Sequence, residues 1–275
     1  MPKTSLQTTV YICSAGAFGL FFRWLQLQLA FDENGLVGGS MWNIVVPLSI
    51  LVAAWLFSRF VRSHRDEGRS LSGNFYAALK NEGKLFPFLR WAIGGLMCLG
   101  ALLLLVKSET DKYVGILRIM ALLGVLAGLS FPLLLSAANK SKEETKPGLL
   151  CLYSFMPILF FAWWLVYCYR ANAINSVVWS FLIEILTVSV MMIAFFRLAG
   201  FAFEQPKPER AMTLAMLGAY LGFMSLADGR YLGMQVMLFA ATLMLVLYTW
   251  IMVANLQQGE APRREKPNDG FESLK

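Results

Sequence analysis

The chain has 275 residues, of which 57% are hydrophobic and 15% are charged. Soluble domains are usually about 45–50% apolar and about 25% charged, so this composition excludes an ordinary water-soluble fold. The formal net charge is +7, but the basic residues are dispersed between apolar runs, so we expect no nucleic-acid partner. The sequence therefore predicts an integral membrane protein in contact with a lipid bilayer.

Apolar segments long enough to cross a bilayer recur along the chain. A spanning helix needs about 20 mostly apolar residues. Eight segments qualify, and the seventh is the shortest: Thr8–Ala30, Met41–Val61, Phe86–Val106, Tyr113–Ala138, Leu149–Tyr169, Ser176–Gly200, Ala211–Leu226 and Tyr231–Leu256. We expect an all-α, polytopic transmembrane helical bundle of about eight spans over residues 1–256. Residues 257–275 are rich in charge and proline, which predicts a disordered tail.

The distribution of lysine and arginine predicts the orientation of these spans. Loops on one face of the map carry 18 of the 24 basic residues, loops on the other face carry 4, and Arg23 and Arg118 lie within spans. Because short cytoplasmic loops hold the excess of basic residues, we expect both termini in the cytoplasm. The Asn139 glycosylation sequon would then be cytoplasmic, so nothing indicates a glycosylated surface protein, and we expect a bacterial cell membrane.

The longest loop between spans is basic where it leaves the second span. Arg59, Arg62, Arg65 and Arg69 are expected to lie close to the inner leaflet, where they would bind anionic lipid headgroups. Further along the loop, residues 74–83 carry Phe75, Tyr76 and Leu79 on one side, with Lys80 and the following Lys84 placed to reach headgroups, a pattern that fits a short interfacial helix. A solvated linker fits this segment equally well.

Two spans begin and end with similar residues, which suggests an internal repeat. Tyr113-Val114-Gly115 precedes a span that ends in Ala137-Ala138-Asn139, and Tyr231-Leu232-Gly233 precedes one that ends in Val253-Ala254-Asn255. Halves at residues 1–139 and 149–256 would each hold four spans and would form a parallel 4+4 repeat. Apolar segments also align by chance, so duplication and coincidence both remain open.

Three ionisable residues lie within the apolar spans, at similar depth from the external face: Arg23, Arg118 and Glu184. Each costs at least about 2.5–3.5 kcal/mol at the bilayer centre, so each should face the bundle interior or reach an interface. Helical spacing places Ser180 and Thr187 on the face of Glu184, and Gln26 on the face of Arg23. We predict that Glu184 pairs with Arg23 or Arg118. The set is a structural ion pair, a site for a polar or anionic solute, or a setting in which Glu184 alone couples protons.

No signature of a catalytic site, a metal site or a cofactor is present in the sequence, so we expect no enzyme, no metal and no cofactor. The leading hypothesis is a transporter-like protein, or a membrane component of a transport system, for a polar or anionic small solute. The alternative is a non-catalytic scaffold or sensor subunit that docks a cytoplasmic partner or anionic lipid. A transporter should keep a water-accessible cavity at the depth of Arg23 and Glu184, whereas a scaffold should fill that depth with side chains.

Overall fold

A computed structural model describes residues 3–32, 35–36, 40–66, 69–81, 83, 85–108, 112–173 and 178–258. Its helices are α1 (Lys3–Leu29), α2 (Trp42–Asp66), α3 (Phe75–Ala78), α4 (Leu85–Ser108), α5 (Val114–Ala137), α6 (Pro147–Asn172), α7 (Val178–Ala202), α8 (Pro208–Ser225) and α9 (Leu232–Ala254). A 3₁₀ turn covers Lys142–Glu144. Two antiparallel ladders of two-residue strands join β1 (Phe31–Asp32) to β2 (Gly35–Leu36) and β3 (Arg69–Ser70) to β4 (Gln257–Gln258).

The predicted all-α membrane bundle is confirmed, and each of the eight predicted segments corresponds to a long helix. Seven of these helices are long and apolar enough to cross a membrane, and α8, with 18 residues, is not among them. Eleven residues of α8 are buried against its neighbours. Because such a helix is shielded from lipid by protein, it does not need an apolar surface on every side.

The last helix lies at the centre of the bundle. In α9, 78% of the apolar stretch is buried inside the protein. It packs against α1, α4 and α8, and Tyr248 makes edge-to-face contacts with Phe131 of α5 and Phe195 of α7. In contrast, α2 packs at the periphery against α1 and α8.

Glycines allow α4 to approach two neighbouring helices at backbone distance. A Cβ atom on Gly94 would lie 2.5 Å from the carbonyl oxygen of Gly128 in α5, and one on Gly233 of α9 would lie 2.6 Å from the carbonyl oxygen of Gly100. Small residues at helix crossings permit this close packing in membranes, where van der Waals contact supplies much of the association energy. The α4 helix is thereby held between α5 and α9.

The connections group at two ends of the bundle. At one end α2, α5, α7 and α9 finish and α4, α6 and α8 begin; we call this the basic end, because its predicted loops carry most of the lysines and arginines. Contacts across it include the Arg65–Glu209 ion pair between α2 and α8. At the opposite end, the Gln26 amide donates to Asn43 between α1 and α2.

Residues 69–81 cross the basic end, and we call this segment the strap. It contains β3 and the one-turn helix α3, whose first turn is capped by the Asn74 side chain. Ala78 and Leu79 are buried. The strap is clamped from two sides, because Asn255 donates to the carbonyls of Ala78 and Lys80, and Asn139 exchanges hydrogen bonds with Asn81.

The interfacial helix considered over residues 74–83 is therefore a single turn, and packing fixes the rest of the segment. The two similar spans become α5 and α9, and their terminal asparagines hold the same strap. The helix contacts differ between the halves, however. In the second half each helix from α6 to α9 packs against the next one, whereas in the first half α2 packs against α1 and then against α8 of the other half. Duplication stays a prediction. Of the predicted tail, Gln257 and Gln258 pair with the strap, and residues 259–275 lie outside the described residues.

Candidate functional site

Four charged side chains meet at the opposite end of the bundle, and we call them the end network: Arg23, Glu184, Asp228 and Arg230. Arg23 Nε donates to Asp228 Oδ1 at 2.8 Å, and Arg230 Nη2 donates to Asp228 Oδ2 at 2.7 Å. Arg230 Nε also lies 3.1 Å from Glu184 Oε1, although the geometry does not make a hydrogen bond. In the contact order Arg23, Asp228, Arg230, Glu184, the four charges therefore alternate in sign and sum to zero.

Neutral groups complete the coordination of these charges. Arg23 Nη1 donates to Gln26 Oε1 at 2.6 Å, and Nη2 lies 3.4 Å from the carbonyl oxygen of Ser180. Trp164 Nε1 donates to Glu184 Oε1 at 2.8 Å. Buried charges are tolerated when they are paired and hydrogen-bonded, and the network meets both conditions.

The predicted direct pairing of Glu184 with Arg23 or Arg118 is wrong. Glu184 takes Arg230 as its ion-pair partner, and Arg23 takes Asp228. Arg118 is exposed on α5 and makes no hydrogen bond or ion pair within the described ranges. An arginine near a helix end can extend its flexible side chain towards the lipid headgroups, which costs less free energy than burying the charge in the bundle.

The other predicted members of the site divide between the network and the helix packing. Gln26 and Ser180 contact Arg23. Thr187 instead donates to the carbonyls of Ile183 and Leu221, at 2.7 and 3.3 Å, and so links α7 to α8. Thr187 therefore contacts α8, whereas Ser180 and Glu184 contact members of the end network.

Sequence reasoning missed Asp228 and Arg230, because only ionisable residues within the predicted spans were considered as site members and both residues lie between two spans. The predicted loop between the last two spans comprises only residues 227–230. So short a connection keeps its side chains against the bundle, and that brevity was the available signal. In the structure Arg230 also donates to the Ser225 carbonyl at 2.7 Å, which closes the turn over the end of α8.

Most of the predicted site residues at the depth of Arg23 are shielded from solvent. The side chains of Arg23, Gln26 and Thr187 are completely buried, and only 14% of the Glu184 side chain is exposed. The polar atoms of Arg23 are engaged by an acid, an amide and a backbone carbonyl. This is the arrangement expected of a structural ion-pair network.

A second polar site lies at the basic end, in a groove between α2, α7 and α8. Two adjoining cavities form it, of about 230 Å³ and 380 Å³, and both are lined by Val61, Glu209 and Arg210. We call the pair the basic groove. Its cations are contributed by three helices, the strap and the residue before α8: Arg62, Arg65, Arg69, Arg197, Lys207 and Arg210. Glu209 is the acid among the described residues that line it, and it pairs with Arg65 at 3.2 Å.

Two kinds of hydrogen-bond donor in residues that line this groove have no acceptor among the described groups. Arg197 Nε is buried, and no described group accepts a hydrogen bond from it. The first turn of α8 starts at Pro208 and receives no side-chain cap from Lys207, so the N–H groups of Glu209 and Arg210 have no intrahelical acceptor. A helix N-terminus beside arginines favours a phosphate oxygen.

Three of the four predicted headgroup residues line the basic groove, namely Arg62, Arg65 and Arg69. Arg59 lies one turn earlier on α2, is exposed, and lines neither cavity. The sequence did not single out Arg197, Lys207 and Arg210 as their companions. Arg197 lies in α7, Lys207 lies directly before α8, and Arg210 lies in the first turn of α8; these residues come close to α2 only in the folded bundle.

Neither site has the composition of a metal centre. Within the described part of the chain, no group of three or more histidine, cysteine, aspartate or glutamate side chains is close enough to hold a metal ion. Comparison with known proteins identifies no relative: no family model, no curated protein and no solved structure matches this chain. Functional inference therefore rests on the two sites themselves.

Proposed function

We propose that this multi-pass membrane protein is a non-catalytic scaffold or sensor subunit that binds the headgroups of anionic lipids in the basic groove. The observation that carries the proposal is the convergence of six cationic side chains around one carboxylate in a cavity-forming groove. Basic pockets between membrane helices are suited to anionic headgroups, and each nearby lysine or arginine contributes about 1 kcal/mol at a cytoplasmic membrane surface.

The position of the basic groove favours a lipid over a soluble anion. The groove lies beside α2, a peripheral helix with large exposed apolar side chains. Val61, Met212 and Leu214 supply apolar walls next to the cations. A phospholipid presents the same combination of an anionic phosphate and an apolar chain.

The end network supports a structural role at the other end of the bundle. Its two cations and two anions neutralise one another, so it has no surplus charge with which to attract an anionic solute. Its members come from α1, α7 and the α8–α9 turn. The network is therefore placed to hold these helices together.

Lipid binding by the purified full-length protein tests the proposal. The double variant Arg197→Gln/Arg210→Gln should weaken binding of phosphatidylglycerol by about 30-fold at low salt, from roughly 1 kcal/mol for each cation. The matched control, Arg59→Gln/Arg118→Gln, removes the same charge outside the basic groove and should change binding far less. Native mass spectrometry across a lipid titration measures both. Equal losses, or equal binding of phosphatidylcholine by the unaltered protein, would contradict the proposal.

Transport of a polar or anionic solute is a second candidate function. It is favoured by the partial exposure of Glu184, which leaves 14% of that side chain accessible while Arg23 has none. Intramembrane ionisable residues commonly mark solute or proton pathways. In vesicles, Glu184→Gln should then alter solute uptake while the protein remains folded and inserted; uptake that is absent from the unaltered protein with every solute tested would reject this function.

A further inference from the structure

We infer that the lipid bound in the basic groove carries two phosphate groups, one in each cavity. This inference rests on the proposed function and specifies its ligand class. A lipid whose two phosphates are joined by a short linker, as in diphosphatidylglycerol, matches the arrangement.

The cations of the basic groove form two clusters separated by an acid. The smaller cavity is lined by Arg65, Arg69 and Lys207, and the larger by Arg62 and Arg197. Arg210 and Glu209 line both cavities. A single phosphate placed between the two clusters would face the Glu209 carboxylate. Two phosphates, one on each side of Glu209, would each face cations.

The charge of the groove also favours a ligand with more than one anionic group. Six cations line the groove, and Glu209 is the acid among the described residues that line it. One phosphodiester brings one negative charge to these cations, and two phosphodiesters bring two while each stays close to its own cluster. Since like charges held together raise the energy of the folded protein, a ligand with more than one anionic group is the better complement.

Each cavity has donors suited to one phosphate. In the larger cavity, Arg197 supplies donors, and no described group accepts a hydrogen bond from its buried Nε. The uncapped first turn of α8 begins at Pro208, which lines the smaller cavity. In the smaller cavity, Arg65 is already placed by its ion pair with Glu209, and the strap contributes Arg69. Arginine donates to phosphate in a planar fork, which gives geometric specificity beyond charge.

Both cavities have apolar walls that could contact acyl chains. Leu71 and Met212 line the smaller cavity, Leu214 lines the larger one, and Val61 lines both. In diphosphatidylglycerol each phosphate carries a diacylglycerol, so both cavities need an apolar flank.

Linking two phosphates makes the second contact intramolecular, which raises affinity by effective concentration without any new contact. In detergent solution at about 0.15 M salt, diphosphatidylglycerol should bind the full-length protein at least about tenfold more tightly than phosphatidylglycerol supplied at equal phosphate concentration. Arg69→Gln and Arg197→Gln should each abolish most of that preference. Arg59→Gln, on the same helix as Arg62 but outside both cavities, should retain it.

The outcomes separate this inference from the proposed function. Equal affinity for the two lipids, with both preferred over phosphatidylcholine, would overturn the two-phosphate inference and leave headgroup binding in place. No preference over phosphatidylcholine would overturn both. Competition by inorganic pyrophosphate at the concentration that competes with diphosphatidylglycerol would show that a soluble diphosphate suffices, and would overturn the lipid assignment. Size-exclusion profiles and unfolding temperatures matching those of the unaltered protein qualify each variant for the comparison.

Discussion

Arg23 and Asp228 are 205 residues apart in the sequence and form a 2.8 Å ion pair in the folded protein. The Arg23 side chain is fully buried, and 9% of the Asp228 side chain is exposed. Asp228 also accepts from Arg230 and from the Ser225 hydroxyl. The Asp228 carboxylate therefore compensates the charges of two arginines, and it joins α1 to the turn between α8 and α9.

Replacing that carboxylate should be strongly destabilising. Asp228→Asn keeps the shape of the side chain but leaves Arg23 buried without its counter-charge, and breaking a buried pair in this way costs about 3–5 kcal/mol. Denaturant unfolding of the purified protein in detergent measures the loss. The control is Glu209→Gln, which breaks a pair whose side chains are 69% and 53% exposed and should cost less than about 1 kcal/mol. Comparable losses in the two variants would contradict a structural role for the end network.

The two intramembrane arginines should respond differently to the same substitution. Arg23→Gln should lower stability by a smaller amount than Asp228→Asn, because Asp228 keeps Arg230 as a partner. Arg118→Gln should have little effect, because Arg118 is exposed on α5 and surface charges contribute about 0–1 kcal/mol. Unfolding temperatures of the three variants, measured side by side, should follow that order. A larger loss for Arg118→Gln than for Arg23→Gln would show that the bundle interior is assigned wrongly.

Adjacent glycines in α4 provide a test of its close packing. A Cβ on Gly94 would meet the carbonyl oxygen of Gly128 at 2.5 Å, whereas a Cβ on Gly95 would have no neighbour within 4 Å. Gly94→Ala should therefore destabilise the protein, because backbone must move to admit the methyl group. Gly95→Ala should be neutral or stabilising by up to about 1 kcal/mol, from the helix propensity of alanine. The measurement is again denaturant unfolding, and a loss at Gly95 equal to that at Gly94 would contradict the close approach of α4 to α5.

The clamp on the strap predicts a change in local dynamics. Asn255→Ala removes the donors to the carbonyls of Ala78 and Lys80, so backbone amides of residues 75–81 should exchange hydrogen faster, while those of the helix interiors stay protected. Hydrogen exchange with mass spectrometry resolves the segment. Asn172→Ala is the matched control, because the Asn172 amide donates to the Cys168 carbonyl of its own helix. Unchanged exchange over the strap in the Asn255 variant would show that burial of Ala78 and Leu79 alone holds it.

Several features of the fold were accessible from local sequence properties. Hydropathy and segment length located all eight long helices, because the cost of exposing polar groups to lipid acts on each segment separately. The shortest of them, α8, was unusual by its length, and the structure shows it as a helix with eleven buried residues. Helical periodicity also placed Gln26 correctly beside Arg23.

Contacts between side chains of different helices could not be predicted from local sequence properties in the same way. Arg23, Arg118 and Glu184 were grouped by depth, but depth is one coordinate, and pairing also requires that two helices turn the right faces towards each other. The rotation of α5 leaves Arg118 exposed, while the short turn after α8 brings Asp228 and Arg230 inward to Arg23 and Glu184. Similarly, the basic groove takes Arg197 from α7 and Arg62 from α2.

By itself, then, the sequence determined that this protein is a helical membrane bundle with its basic residues concentrated in certain loops, because transfer of apolar and charged groups between water and lipid depends on each segment's own composition. Only the tertiary structure decided which arginine meets which acid and which loops share a groove. Those contacts depend on the docking angles and rotations of helices distant in sequence, and close packing of many side chains at once sets these angles.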